Sequence, residues 1–128
     1  MEGILNGPLT VRMIGEEDMN GGNAARVYVY ELSGETNFRN TTLSTFWSSN
    51  EEALGGELIG APRQQLLYPN ETQTLEFEVG EETRYIGIAA DLRSPDREQW
   101  RSVHAVEEVE GEEIVVRVGA DRVQVDVQ

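Results

Sequence analysis

An all-β fold, an eight-stranded antiparallel β-sandwich with one short helical insertion between its second and third strands, is what this 128-residue sequence predicts, on three observations. Apolar residues recur at every second position in short runs, the period with which a strand sends side chains to one face of a sheet. Turn-forming residues punctuate those runs every 8 to 12 positions or so over much of the chain, as they do in sandwiches. Only across residues 36–60 does the apolar spacing lengthen to three and four.

Residues 1–8 are short, polar and glycine-containing and read as a tether; the single sandwich domain then occupies residues 9–128. Leu9, Val11 and Met13 alternate with Thr10 and Arg12 and form the first strand. The connection that follows, residues 15–25 (GEEDMNGGNAA), is far longer than the two residues a hairpin needs, and loops of that kind are either functional or disordered. Its one large apolar residue, Met19, reads as a soft contact for a partner, so that Met19→Asp is expected to weaken binding and leave the melting temperature unchanged.

Residues 26–32 (RVYVYEL) put Val27 and Val29 on one face and Tyr28 and Tyr30 on the other, so both faces suit a central strand. Across residues 36–60, Phe38, Leu43, Phe46, Trp47, Leu54 and Leu58 follow helical spacing, and Ser49 or Asn50 before Glu51-Glu52 marks a helix start. Gly55-Gly56 keeps that helix short, which predicts two short helical turns across one edge or end of a sheet.

The period of two then returns. Residues 65–68 form the third strand, Tyr68 to Glu71 a turn, and residues 74–79 a fourth strand with Leu75, Phe77 and Val79 inward. In the fifth, Ile86, Ile88, Ala90 and Leu92 share a face, and Gly87 marks a bulge or a close approach by a neighbouring group. Ser94-Pro95-Asp96 stops that strand. Strands at 100–106, 114–118 and 123–127 complete the set, joined by an acidic turn at 107–113 and a tight turn at 119–121. If successive strands alternate in direction, the loops at 15–25, 69–72, 94–99 and 119–121 meet at one pole, with the tether at the other. A domain held at one pole and presenting a long loop at the other reads as an adaptor.

Composition narrows the function. With 24 acidic residues against 10 basic ones the net charge is −14, and every basic residue is arginine. Such a surface repels phosphate backbones and anionic lipid, so no nucleic-acid partner is expected. It fits a source living in high salt, where the Debye length falls to about 3 Å, or an ordinary acidic protein. There is no cysteine, hence no disulfide and no thiolate site. No apolar run approaches the roughly 20 residues of a membrane span, and the start is not a signal peptide. The chain is therefore either cytosolic or the mature part of an exported protein.

Chemistry is scarce. One histidine, His104, lies within a strand and reads as structural, and no zinc set can be built from it. Glu107, Glu108, Glu110, Glu112 and Glu113 lack the spacing of a calcium loop and read as a solvated tip. No Gly-x-Ser-x-Gly elbow occurs. Asn40-Thr41-Thr42 and Asn70-Glu71-Thr72 match the glycosylation sequon without further support. No catalytic residue, cofactor or metal is expected.

Several stretches together resemble a known family. Tyr28-Val29-Tyr30-Glu31-Leu32 resembles its RVYQL strand, and Phe46-Trp47 with residues 52–58 (EALGGEL) its FF…ALGADL segment. Tyr68-Pro69-Asn70-Glu71 is similar to its L-PGE turn, and residues 84–93 (RYIGIAADLR) with Trp100-Arg101 to its YIGVVAAYRD…WR hairpin. In order and spacing the chain from Leu9 to Val127 resembles the type VI secretion outer-membrane lipoprotein family, TssJ, also called SciN or VasD.

The resemblance implies a transthyretin-like sandwich with an added helical piece, acylated at an upstream cysteine, facing the periplasm from the outer membrane. It implies no enzymatic activity. The partner it implies is the periplasmic C-terminal region of the inner-membrane protein TssM, and through it TssL, held by the loop that corresponds to residues 15–25. Two departures touch that loop: the family's LNP reads Met19-Asn20-Gly21, and its GRPSP is reduced to Asn23-Ala24-Ala25. Asn70 replaces the glycine of PGE, which asparagine tolerates at positive φ.

The expected contact residues are Glu16, Glu17, Asp18, Met19, Asn20, Gly21, Gly22 and Asn23, with Asn70, Pro95, Asp96 and Arg97 as secondary members. The alternative is a secreted sandwich binding a carbohydrate or peptide, with Trp47 and Trp100 as stacking platforms if exposed.

Overall fold

The structure, a computed structural model, describes residues 5–109 and 111–128. Eight strands form two four-stranded sheets. The first sheet takes β1 (Leu5–Gly15), β4 (Thr72–Gly80), β7 (Glu113–Val118) and β8 (Val123–Val127) in the order β4-β1-β7-β8. The second takes β2 (Ala25–Leu32), β3 (Leu58–Leu67), β5 (Tyr85–Ala90) and β6 (Arg101–Ala105) in the order β3-β2-β5-β6. Every pairing is antiparallel except β1 with β7, which run parallel at the centre of the first sheet.

The predicted alternation places the core. Leu9, Val11 and Met13 of β1, Val27 and Val29 of β2, Ile86 and Ile88 of β5, and Ile114, Val116 and Val118 of β7 fill the space between the sheets, with Leu75 and Phe77 of β4 packed against them. At the β3–β4 corner Arg63 closes the sandwich, its guanidinium 3.9 Å above the Phe77 ring and 2.7 Å from Glu31.

The second sheet is covered on its outer face as well. Tyr30, Leu32, Ala89 and Trp100 turn away from the sandwich and meet Phe38, Phe46 and Leu54 from α1 (Thr36–Asn40) and α2 (Leu43–Leu54). The helices thus lie across a sheet face, not across an edge or end: a strand with two apolar faces leaves the second one to be buried by something. The helical stretch also begins earlier than Ser49, at Leu43. Ser49 leaves helical geometry (φ −152°, ψ 47°) and divides α2, so the expected start at Ser49 or Asn50 is where its second half resumes. Gly55 (φ 57°) ends it. Gly87 proves to be the close approach: a Cβ there would stand 2.8 Å from the Phe38 ring.

Other boundaries differ from the sequence reading. β1 begins at Leu5, so residues 5–8 pair with β4 and are not a tether; residues 1–4 lie outside the described residues. Pro8 fits because the parallel partner β7 joins only at Thr10, and a missing amide there breaks no ladder bond. β3 starts at Leu58, seven residues early, because Pro62 and Gly60 at φ 68° are accommodated on an edge strand with a register shift. The β5–β6 connection is longer than a six-residue tip, because after Ala90 the chain leaves the ladder and Asp91 bonds back to Arg26. Within the acidic stretch the chain first makes a helical turn, α3 (Val106–Val109), with Val106 and Val109 buried; Glu110 lies outside the described residues.

Candidate functional site

Strand direction brings four connections to one pole. β1 ends beside the start of β4 and the end of β7 (Ile14 opposite Thr72, Gly15 opposite Val118), and β3 and β5 end beside the start of β2 (Leu67 opposite Ala25, Ala90 opposite Val27). The connections after β1, β3, β5 and β7 therefore meet, and the start of β1 lies at the other end, opposite Gly80.

These connections are bonded to one another through main chain. Gly15 N donates to Glu71 O at 2.8 Å and Asn70 N to Gly15 O at 2.8 Å, joining the first loop to the second. Glu16 N and Asn20 N reach Val118 O and Gly119 O, each at 3.0 Å, joining the first to the fourth. Asp96 N donates to Asp121 O at 2.8 Å and Val123 N to Gln99 O at 2.7 Å, joining the third to the fourth. Arg122 adds ion pairs to Asp96 (2.8 Å) and Asp121 (3.2 Å).

The first loop is organised from within by a 3-10 turn at Met19–Gly22. Met19 is wholly buried in the sandwich core. Asn20, 4% exposed, stands at φ 50°, ψ 40°; its amide group donates to Ala24 O (3.0 Å) and its carbonyl accepts from Arg93 N (2.8 Å). Asn tolerates this left-handed geometry better than most residues, because its short polar side chain bonds locally. All three non-glycine residues at positive φ among the described residues, Asn20, Asn70 (66°) and Arg97 (57°), stand at this pole. Such backbone states persist where surrounding structure over-determines them.

Two of the expected contact residues are therefore corrected: Met19 and Asn20 are buried supports, not contacts. A thioether with no exposed surface meets core, not a partner. Glu16, Glu17, Asp18, Gly21, Gly22 and Asn23 are exposed along the same loop, as are Asn70 and Arg97; Pro95 and Asp96 are half-buried. Sequence reasoning passed over Tyr68, 52% exposed beside Gly15, and over Arg26 and Arg93. An aromatic before a Pro-Asn turn was the available signal for Tyr68; for the arginines only the strand pairing supplies one.

Elsewhere the polar groups serve the fold. Glu31 is buried between the sheets. Burial alone would raise its carboxyl, but hydrogen bonds from Gly80 N (3.0 Å), Thr83 Oγ1 (2.8 Å) and Arg63 (2.7 Å), with the Arg63 charge, hold it below the ordinary glutamate range. His104 meets Ser102 at 2.7 Å as same-face neighbours on one strand do, and burial lowers its imidazole below the ordinary value, with Glu108 opposing and Arg39 adding to the shift. Trp100 is 1% exposed and Trp47 half-buried, packed on Tyr28, Phe46 and Trp100. Trp100 therefore offers no stacking platform and this alternative loses that residue, while Trp47 keeps part of its surface beside Ser48 and Glu52.

Comparison with known proteins gives a consistent result. The family profile described as "Type VI secretion lipoprotein, VasD, EvfM, TssJ" matches residues 8–122. A search of curated proteins returned no match. Among solved structures, the lipoprotein TssJ1 of Pseudomonas aeruginosa superposes with a TM-score of 0.84 at 23% identity, covering 95% of this chain and 96% of that one. Lip of Serratia marcescens, a membrane bound component of the type VI secretion system, gives 0.83 at 18% over 95% and 97%. A chain in the structure described as the TssM C-terminal domain from EAEC gives 0.83 at 18% over 94% and 98%. At these identities the superpositions establish the shared fold.

Proposed function

The chain belongs to the type VI secretion lipoprotein family, and from that membership we propose that it is a non-enzymatic scaffold that binds the periplasmic C-terminal region of TssM. It acts on the periplasmic face of the outer membrane, held there by a lipid anchor upstream of this chain, and reaches TssL through TssM. No helix among the described residues is long and apolar enough to cross a membrane, so in this reading attachment comes from the anchor.

The observation that carries the reading is the bonding of four loops into one pole, opposite the end at which β1 begins. A surface fixed before binding loses little conformational freedom on docking. Contact falls on the exposed members of that pole: Glu16, Glu17, Asp18, Gly21, Gly22 and Asn23, then Asn70, Pro95, Asp96 and Arg97, with Tyr68 as the aromatic member. Met19 and Asn20 hold the loop from beneath. A contact of about 1,200–1,600 Å² in total suits a pole of this size.

The test is calorimetric titration of this domain with the TssM C-terminal region encoded in the same genome, at low and high salt. Binding is expected, and reversal of Glu16, Glu17 and Asp18 to arginine should weaken it with no change in melting temperature. A folded domain that binds at neither salt concentration would sink the reading.

A further inference from the structure

The arginines at the pole divide: Arg122 is paired with Asp96 and Asp121, while three others hold no carboxylate among the described residues. Of the ten, Arg12, Arg39, Arg63, Arg101 and Arg122 each sit on a carboxylate. In a chain with 24 acidic residues that is the expected fate of a guanidinium. Arg26, Arg93 and Arg97 hold no such ion pair among the described residues, and all three stand at the loop pole; Arg84, at the opposite end, and Arg117, on the open face of the first sheet, are likewise without one. Arg26 makes a single neutral bond to Gln64 (3.3 Å).

Arg26 and Arg93 also share a concavity. Two shallow grooves, about 360 and 450 Å³, run along either side of residues 20–23; Arg93 lines both, Arg26 the first. The polar groups of the floor are consumed internally: Asn20 by Ala24 and Arg93 N, and Asn23 by Asn20 O (3.0 Å). What remains to bind is the Arg93 guanidinium, that of Arg26 beyond its bond to Gln64, the Ser94 hydroxyl and the Asp91 carboxylate, set on a fixed floor. Asp91 lines the first groove and Asp121, already paired with Arg122, the second.

Resting on the reading above, we propose that these grooves receive an acidic segment of the partner protein, its carboxylates paired with Arg93 and Arg26. Guanidinium and carboxylate match as planar, bidentate groups, and such pairs are strong at short range. The net charge of −14 repels an extended anionic surface such as a membrane or a nucleic acid over its whole area. A short acidic segment meets only the local field, since charges beyond about 8 Å are largely screened at physiological salt. With Glu16, Glu17 and Asp18 exposed at the same pole, the partner must present both signs, and that requirement sets its orientation.

The test compares Arg93→Glu, Arg26→Glu and, as the control outside both grooves, Arg117→Glu in titrations against the TssM C-terminal region. The Arg93 contact to Asn20 is made by its amide, so substitution leaves that bond in place; if Arg93→Glu nevertheless loses its melting transition, Arg93→Gln replaces it in the same comparison. Arg93 and Arg26 variants are expected to bind at least about tenfold more weakly than the Arg117 variant, with reversal of one partner carboxylate to arginine restoring affinity to Arg93→Glu. Wild-type binding that Arg93 and Arg26 reversals leave equal to Arg117→Glu overturns the inference alone. Absence of wild-type binding overturns the functional reading and this inference with it.

Discussion

Asn20 and Arg93, 73 residues apart, are joined by one hydrogen bond: the Arg93 amide donates to Asn20 Oδ1 at 2.8 Å and fixes the connection after β1 to the connection after β5. The same side chain ties its own loop through Ala24 O, from a left-handed backbone. Asn20→Ala removes both bonds and puts a Cβ with no local polar partner at φ 50°. A loss of about 2–3 kcal/mol is expected in chemical denaturation, together with faster hydrogen exchange at the Arg93 amide. Asn20→Gly keeps the backbone and loses the bonds, so it should fall between. A fully stable Asn20→Ala would mean that the loop is held by its other bonds.

Met19 separates stability from binding. It has no exposed surface and packs among the residues between the sheets. Met19→Ala should cost about 2–5 kcal/mol, the range for large-to-small core changes, and Met19→Asp more, since it buries an unpaired charge. Glu17→Arg, on the exposed stretch two residues earlier, should leave the denaturation midpoint unmoved and change affinity. Equal midpoints for wild type and Met19→Ala would contradict the burial.

These two residues also mark what the sequence could and could not disclose. The period of two identified the strands and their inward faces, because alternation is imposed by the strand itself: Leu9, Val11, Met13, Ile86 and Ile88 lie where it puts them. It also placed the four loops at one pole, a result that survives the parallel β1–β7 pair because odd-numbered strands still share a direction. Burial of Met19 was not legible, since a methionine between acidic residues and glycines has the pattern of a surface loop. Its environment comes from strands far away in sequence. The same holds for Arg26 and Arg93, which become neighbours of one groove only through the pairing of β2 with β5. The place of the helices was missed because Tyr28, Tyr30 and Ala89 announce a second apolar face without naming its cover.

Gly87 is where that cover touches the sheet. A Cβ there would lie 2.8 Å from Phe38 Cε1 and Cζ and 3.2 Å from Leu32 Cδ1, and Phe38 is itself wedged edge-on between Tyr30 and Phe46. With the ring unable to withdraw, Gly87→Ala should cost about 1–3 kcal/mol, the usual range for overpacking. Near-UV circular dichroism from the Phe46–Trp47–Trp100 cluster should change with it, since displacing Phe38 moves Phe46. An unchanged spectrum and midpoint would show that α1 can shift outward freely.

Glu31 makes the link between the sheets dependent on pH. From β2 it accepts from the Gly80 amide at the end of β4, from Thr83 and from Arg63 of β3, and this set holds its carboxyl below the ordinary value despite burial. A carboxyl whose folded pKa is depressed contributes stability that is fully present above the unfolded pKa, about 4.3, and is lost as pH falls through the lower folded value. The readout must be a difference, because protonating 24 acidic residues also relieves their mutual repulsion and moves every variant together. The gap in melting temperature between wild type and Glu31→Gln should therefore be wide at pH 7 and begin to close only below about pH 4. Glu31→Ala, which removes all three bonds and leaves a part-exposed Arg63, should cost about 1–3 kcal/mol at neutral pH. A Glu31→Gln gap that stays constant from pH 7 to pH 3 would mean that the shape of this side chain, and not its charge, joins the sheets.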